Sequence, residues 1–111
     1  MVWEALAASA DLEKTGVDCE VVDLRTIMPL DQTAILDSVK KTHRVVIVHE
    51  APKIGGVGGE IAGLIAEKSF SDLKAPVMRV GALYTPVPRP PFESIYLPNK
   101  DKIIQTVKMI I

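Results

Sequence analysis

The residues that decide the fold are an apolar run, a glycine-rich loop and the start of a helix. They read Val45-Val46-Ile47-Val48-His49-Glu50-Ala51-Pro52-Lys53-Ile54-Gly55-Gly56-Val57-Gly58-Gly59-Glu60-Ile61. A continuous β-branched run predicts a strand that is buried on both faces. A strand, a loop and a helix in this order are typical of an α/β protein.

Helices and strands alternate on both sides of this stretch. The predicted helices span residues 2–15 (with Gly16 as the stop), 31–41 (capped by Asp31), 59–69, and the segment after Asn99. The predicted strands span residues 18–24, 45–48 and 77–80. Five of the eight prolines lie in 85–98, which is predicted to be irregular. The pattern predicts a three-layer α/β/α domain with a mostly parallel sheet.

The apolar positions predict which faces are buried. We expect Val45–Val48 to form the most buried strand. The residues expected on inner helix faces are Ile35, Leu36, Val39, Ile61, Leu64, Ile65, Ile103, Ile104, Val107, Ile110 and Ile111. In the first helix, Val2, Leu6 and Ala10 recur near helical spacing. Trp3 beside them is either a core residue or an interface anchor.

Composition limits the class of protein. The 111 residues suit a single domain, and a hydrophobic fraction of 48% suffices for a core. The net charge of -1 gives no reason to expect nucleic acid or an anionic membrane as a partner. No apolar run approaches the ~20 residues of a membrane span, and Glu4 and Asp11 argue against a signal peptide. With Cys19 as the single cysteine, we expect no intrachain disulfide and a cytoplasmic protein.

The glycine-rich loop permits two interpretations. Its glycines are Gly55, Gly56, Gly58 and Gly59. Backbone amides at a helix N-terminus can hold a phosphate. However, the spacing is not a dinucleotide motif, no Lys-Ser/Thr follows, and Glu60 would repel an anion. The favoured interpretation is glycines needed for a tight turn and close packing, with at least one positive φ.

Other polar residues offer weaker candidates. His49 and Glu50 at a strand end are either an acid/base pair or a polar strand end, and the second is favoured. His43 is expected to be solvated, and Asp23 and Arg25 to form an ion pair. The scattered histidines and the single cysteine suggest no metal cluster. The residues alone predict an α/β domain with no complete active site.

Several short motifs follow one another along nearly the whole chain. They lie at 20–26 (EVVDLRT), 28–31 (MPLD), 46–51 (VIVHEA), 55–61 (GGVGGEI), 75–80 (APVMRV), 85–88 (TPVP) and 96–100 (YLPNK). In this order and spacing they resemble the C-terminal part of the β subunits of thiamine-diphosphate-dependent 2-oxo acid dehydrogenases. The His-Glu-Ala and Thr-Pro-Val-Pro segments look most like the pyruvate or acetoin dehydrogenase branches.

The resemblance implies the fold of a transketolase C-terminal domain. It implies that thiamine diphosphate and its magnesium are held between the α subunit and the N-terminal domain of the β subunit. No catalytic, cofactor or metal residue is therefore carried onto this chain. In such enzymes the domain contributes dimer contacts and in some complexes docks the acyltransferase core. We expect an assembly domain of the decarboxylating component, inactive when isolated.

One departure from the family concerns the sheet. In the family another strand precedes the first helix and lies in mid-sheet, and residues 1–111 contain no counterpart of it. Either the chain is truncated at its N-terminus, or its sheet is completed differently. In the second case the strands at 18–24 and 45–48 pair directly, or a second copy covers the exposed edges. We expect a homodimer, with Met109, Ile110 and Ile111 as contacts there or on the acyltransferase core. A stand-alone interaction module and a small anion binder using the glycine loop stay as alternatives.

Overall fold

A computed structural model describes all residues, 1–111. In chain order the elements are α1 (Val2–Glu13), α2 (Gln32–Thr42), β1 (Val46–Pro52), α3 (Gly58–Ser69), a 3₁₀ turn (Phe70–Asp72), β2 (Met78–Ala82), α4 (Glu93–Tyr96) and α5 (Lys100–Lys108). The predicted N-caps are confirmed, since the Asp31 carboxylate accepts the Ala34 N–H and the side-chain Oδ1 of Asn99 accepts the Lys102 N–H. None of the helices has the length and apolarity to cross a membrane.

The sheet has two parallel strands with a helical layer on each face. Val46 lies opposite Met78 and Val48 opposite Val80. One face carries a core cluster of Ala8, Val80 and Ile103, contributed by α1, β2 and α5. The other carries Ile35, Val39, Ile61 and Ile65 from α2 and α3. The α/β/α prediction is confirmed, and the apolar faces predicted for α2 and α3 are the ones that pack.

The predicted strand at 18–24 is wrong. The segment is not part of the sheet, and none of its N–H groups donates to another backbone carbonyl. Its carbonyls accept hydrogen bonds only at Cys19, from the Ser9 hydroxyl, and at Leu24, from the Thr26 N–H. A β-strand forms only where its backbone hydrogen-bonds to a neighbouring strand. The β propensity of Val21 and Val22 is therefore not sufficient to form a strand at 18–24.

The prediction that Val45–Val48 is the most buried strand is also wrong. Val80 and Ala82 of β2 are each 5% exposed, whereas no residue of β1 is fully buried. The cause is that Val46, Ile47 and Val48 line an open apolar space instead of packing against neighbours on every side. The edge of β1 that does not pair with β2 opens onto this space.

The predictions for α1 and for residues 85–98 also need correction. α1 buries Ala8 and Leu12, which leaves Leu6 half-exposed and Trp3 83% exposed, so Trp3 is not a core residue. The proline-rich region 85–98 contains the helical turn α4, whose Tyr96 is buried.

His43 is not solvated. It ends α2 in a left-handed conformation with φ 62, and its Nδ1 lies 2.7 Å from the Asp72 carbonyl oxygen. At the C-terminus Ile110 is buried, and its carbonyl oxygen accepts a 2.6 Å hydrogen bond from Arg44 Nε. Of the three predicted partner contacts, only Met109 and Ile111 are exposed.

Candidate functional site

The most prominent feature is an apolar cleft of about 620 Å³ between residues 17–27 and β1. Of its 34 lining residues, 24 are hydrophobic. They include members of both core clusters, such as Ala8 and Ile103 from one face and Val39, Ile61 and Ile65 from the other. Because protein interiors leave few voids larger than a water molecule, a cleft of this size interrupts the core.

Unpaired backbone borders the cleft on two sides. One side is the extended segment 18–24, and the other is the free edge of β1. Backbone N–H and C=O groups require partners when they are removed from water. The cleft therefore joins an apolar lining with two rows of available donors and acceptors.

His49 is a polar residue on the cleft lining. Neither of its ring nitrogens has a hydrogen-bond partner, although both are buried. Glycines surround the ring: a Cβ on Gly58 would collide with Nε2, and a Cβ on Gly56 would stand 2.8 Å from Cε1. A Cβ on Gly81 of β2 would approach the same carbon to 3.2 Å. These glycines leave the space that the imidazole occupies.

The glycine loop owes its composition mainly to packing. Gly55 has φ +72, which confirms the predicted positive φ. A Cβ on Gly56 would also collide with the Pro52 carbonyl oxygen. Gly59 is less crowded, because a Cβ there would meet only Arg79 Nη1, at 3.4 Å. Turn and close-packing glycines are thus confirmed, while anion binding by this loop stays a prediction.

The structure does not bring His49 and Glu50 together as an acid/base pair. Successive side chains of a strand point to opposite faces. Accordingly His49 packs on the glycine loop, whereas the exposed Glu50 carboxylate lies 3.7 Å from the Met1 ammonium group. The predicted ion pair of Asp23 and Arg25 is confirmed, with Nε and Oδ2 2.9 Å apart.

A second, smaller pocket of about 190 Å³ lies beside β2 and combines three basic side chains, Lys53, Arg79 and Lys102. None of them has an acidic partner within salt-bridge distance. Sequence reasoning missed this cluster because its members come from a loop, a strand and a helix. The signal available was the position of Arg79 within a strand, since charged residues are typical of edge strands.

Acidic side chains of α1 hold α5 in place. Glu4 accepts the Lys100 N–H at 2.7 Å, and Asp11 pairs with the Lys100 ammonium group at 2.7 Å. Hydrogen bonds from Lys100 and Lys14 lower the pKa of Asp11 from 3.8 to about 2. On the opposite side, hydrogen bonds from Lys41 and Ser38 lower the pKa of Glu20. These pairs tie together the elements that border the cleft.

The residues present do not fit thiamine diphosphate with magnesium. No three His, Cys, Asp or Glu side chains form a set that could hold a metal ion. At the glycine loop, the space beside the Cα atoms of Gly56 and Gly58 is filled by His49 and the Pro52 carbonyl oxygen. No catalytic step is therefore derived through this cofactor.

The sequence matches the family described as transketolase, C-terminal domain, over residues 1–103. The chain belongs to this family, and the three-layer fold with its parallel strands agrees with it.

Curated relatives are β subunits of 2-oxo acid dehydrogenases. The chain is 46% identical to the pyruvate dehydrogenase E1 component subunit beta of Leifsonia xyli, over 96% of the chain and 32% of the relative. It is 41% identical to the same subunit of Bacillus subtilis, over 100% of the chain and 34% of the relative. It is 46% identical to the mitochondrial 2-oxoisovalerate dehydrogenase subunit beta 2 of Arabidopsis thaliana, over 91% of the chain and 28% of the relative. The chain thus spans about a third of the length of these relatives.

Proposed function

We propose that the chain acts as the C-terminal assembly domain of the β subunit of a thiamine-diphosphate-dependent 2-oxo acid dehydrogenase. In this role it supplies contacts between subunits, and the cofactor is held by other domains. Pyruvate is the proposed substrate of the assembled enzyme, with 2-oxoisovalerate as the second choice because both substrates occur in the names of the relatives. Acetoin stays a prediction from the sequence motifs.

The observation that carries the proposal is the exposed apolar surface. Trp3 is 83% exposed, Tyr84 74% and Met109 70%. Large aromatic and methionine side chains are typical of protein interfaces. This surface accompanies a chain in which the candidate acid/base residues do not meet. A role in contacts between subunits therefore explains these features better than catalysis does.

The test is a domain exchange. The matching portion of the Bacillus subtilis β subunit is replaced by residues 1–111, and the chimera is expressed with the corresponding α subunit. We expect the two subunits to purify together and to oxidise pyruvate when thiamine diphosphate and magnesium are supplied. The isolated 111-residue chain should not decarboxylate pyruvate. A folded chimera that does not bind the α subunit, or pyruvate turnover by the isolated chain, would contradict the proposal.

A matched pair of variants distinguishes interface loss from unfolding. Trp3→Ala removes an exposed anchor from α1 and should lower the assembled fraction several-fold without changing the melting temperature of the isolated chain. Glu13→Ala changes an exposed residue at the end of the same helix and should leave assembly unchanged. Equal assembly of both variants would remove α1 from the interface.

Homodimer formation and a cytoplasmic location also belong to the proposal. Light scattering on the purified chain measures the first directly. A stable oligomer that does not bind the α subunit in the chimera would favour the alternative of a stand-alone interaction module. The anion-binding alternative is tested by a thermal-shift screen with inorganic phosphate and nucleotides.

A further inference from the structure

The pocket of about 190 Å³ beside β2 has the features of an anion-binding site. We propose that it binds the phosphoryl group of a small molecule, either inorganic phosphate or a phosphate monoester. This binding is independent of the proposed function, because contacts between subunits do not require a ligand in this pocket.

Three cations from separate elements line the pocket. Lys53 lies in the loop after β1, Arg79 in β2 and Lys102 in α5. None of the other lining residues is acidic, and none of the salt bridges of the chain involves these three side chains. Neighbouring like charges repel one another. An anion bound among them therefore relieves a repulsion that the folded chain carries.

Neutral contacts hold these cations in place and leave their charge uncompensated. Arg79 Nη1 donates to the Lys53 carbonyl oxygen at 3.0 Å, and Lys102 Nζ donates to the Ile95 carbonyl oxygen at 3.4 Å. Gly81 leaves room for the Lys53 side chain, because a Cβ there would stand 3.2 Å from Lys53 Cγ. Arg79 and Lys102 are half-buried, so their charges are screened less than those of exposed side chains. Groups that are already ordered lose less conformational entropy when a ligand binds.

One face of α5 forms a wall of the pocket. Lys102, Gln105, Thr106 and Met109 recur at helical spacing and line the pocket together. The Thr106 hydroxyl already donates to the Lys102 carbonyl oxygen, at 2.8 Å. On this side we therefore expect the anion to accept hydrogen bonds from the Lys102 ammonium group and the Gln105 amide.

The charge and size of the pocket favour a phosphoryl group over other anions. A phosphate monoester carries about −1.5 to −2 charges at neutral pH and three acceptor oxygens, whereas a carboxylate carries a single charge and two oxygens. Arginine binds phosphate through paired N–H groups, and lysine binds it as a point charge. The volume is below the ~300–1,000 Å³ of pockets that enclose drug-sized ligands, so it suits a phosphoryl group and little more. No carboxylate lines the pocket, so the anion binds without a metal ion.

Titration of the ¹⁵N-labelled chain with sodium phosphate, at an ionic strength held constant with chloride, tests the site. We expect saturable shifts of the amide resonances of Lys53, Gly81 and Lys102 at millimolar phosphate. Glycerol 3-phosphate forms a second arm. Tighter binding of the ester identifies a phosphate monoester as the ligand, and equal binding identifies the phosphate ion itself. Acetate should bind at least about tenfold more weakly than phosphate.

A matched pair of double variants distinguishes this site from an effect of total charge. Lys53→Gln with Lys102→Gln removes two cations from the pocket and should weaken phosphate binding at least about tenfold. Lys40→Gln with Lys74→Gln makes the same charge change at exposed positions outside the pocket and should leave binding unchanged. Arg79→Lys keeps the charge but loses the planar fork, so it should weaken binding several-fold. The changes at Lys53 and Lys102 are also made singly, so that the comparison does not depend on the fold of the double variant.

Four results would overturn the proposal. The first is the absence of saturable shifts at the pocket amides. The second is equal weakening by both double variants, which would mean that total charge attracts phosphate. The third is binding of acetate as tight as that of phosphate, which would identify a carboxylate site. The fourth is saturation at Gly55–Gly59 alone, which would place the anion at the glycine loop.

Discussion

The two outer edges of the sheet differ in chemistry. The pocket between β2 and α5 is lined by Lys53, Arg79 and Lys102, which have no acidic partners. The edge of β1 faces an apolar cleft lined by residues from both layers of the core. Charged side chains, especially lysine, oppose further pairing at a strand edge, whereas an apolar edge promotes it.

The addition of a further strand is therefore favourable beside β1 and unfavourable beside β2. A strand added beyond β2 would have to bury three unpaired cations, which is costly. A strand added beyond β1 would meet Val46, Ile47 and Val48 and the apolar side chains of four helices. Val80 in β2 packs with Ala8 and Ile103 and is buried, whereas its register partner Val48 lines the cleft and is only partly buried.

The largest expected effect comes from two isoleucines of one cluster. Ile65 in α3 is 0% exposed, and Ile47 in β1 packs against the same cluster but is only partly buried beside the cleft. Ile65→Ala should lower the free energy of unfolding by about 2–5 kcal/mol, the usual range for a buried truncation. Ile47→Ala should cost less than about 2 kcal/mol. Urea melts of both variants measure this, and equal costs would mean that β1 is as well packed as the core.

Two glycines of α3 test whether packing holds His49 at the cleft. Gly58→Ala brings a Cβ into the imidazole, so it should destabilise the chain by about 1–3 kcal/mol, as overpacking does. Gly63→Ala has nothing within 4 Å of the new Cβ and lies inside the helix. It should stabilise by about 0.5–1 kcal/mol. If His49→Ala does not relieve the penalty of Gly58→Ala, contact with the imidazole is not its cause.

Removing cations beside β2 should make its surroundings resemble the apolar surroundings of β1. Lys53→Val with Lys102→Val removes two cations beside β2 and should promote association of the chain through that edge. Light scattering should then give a mass above that of the parent chain at equal concentration. The control Lys40→Val with Lys108→Val makes the same charge change at exposed helix positions. Association of the control to the same extent would mean that total charge, and not the edge, keeps copies apart.

The smallest expected effect concerns α1, which lines the cleft. The folded chain holds the pKa of Asp11 at about 2, below its ordinary 3.8. The stabilising contribution is therefore fully present above pH 3.8 and is lost as the pH falls through about 2. Asp11→Asn should melt slightly below the parent chain at pH 5, and the difference should vanish below pH 2. An unchanged difference across this range would exclude the carboxylate as the source.

Local patterns are sufficient to predict α1, α2, α3, α5, β1 and β2, but not the short helix α4. Asp31 and Asn99 cap helices as predicted, because capping depends on residues three positions apart. The composition of residues 18–24 predicts a strand, but strand formation depends on a neighbour that local composition does not report. The same missing neighbour explains the wrong prediction for the burial of Val45–Val48.

The candidate site is predictable only in part. The positive φ of Gly55 follows from the glycine-rich turn. The positions of Gly56, Gly58 and Gly81 around the His49 imidazole cannot be predicted in this way. These glycines belong to a loop, a helix and a strand that meet only in the folded chain. The basic cluster of Lys53, Arg79 and Lys102 escapes prediction for the same reason.

The separation of the core into two clusters has a consequence for cooperativity. Ala8, Val80 and Ile103 lie on one face of the sheet, and Ile35, Val39, Ile61 and Ile65 on the other, joined through only two strands. With so narrow a link, one layer can lose its structure before the other, and heating then yields no single all-or-none transition.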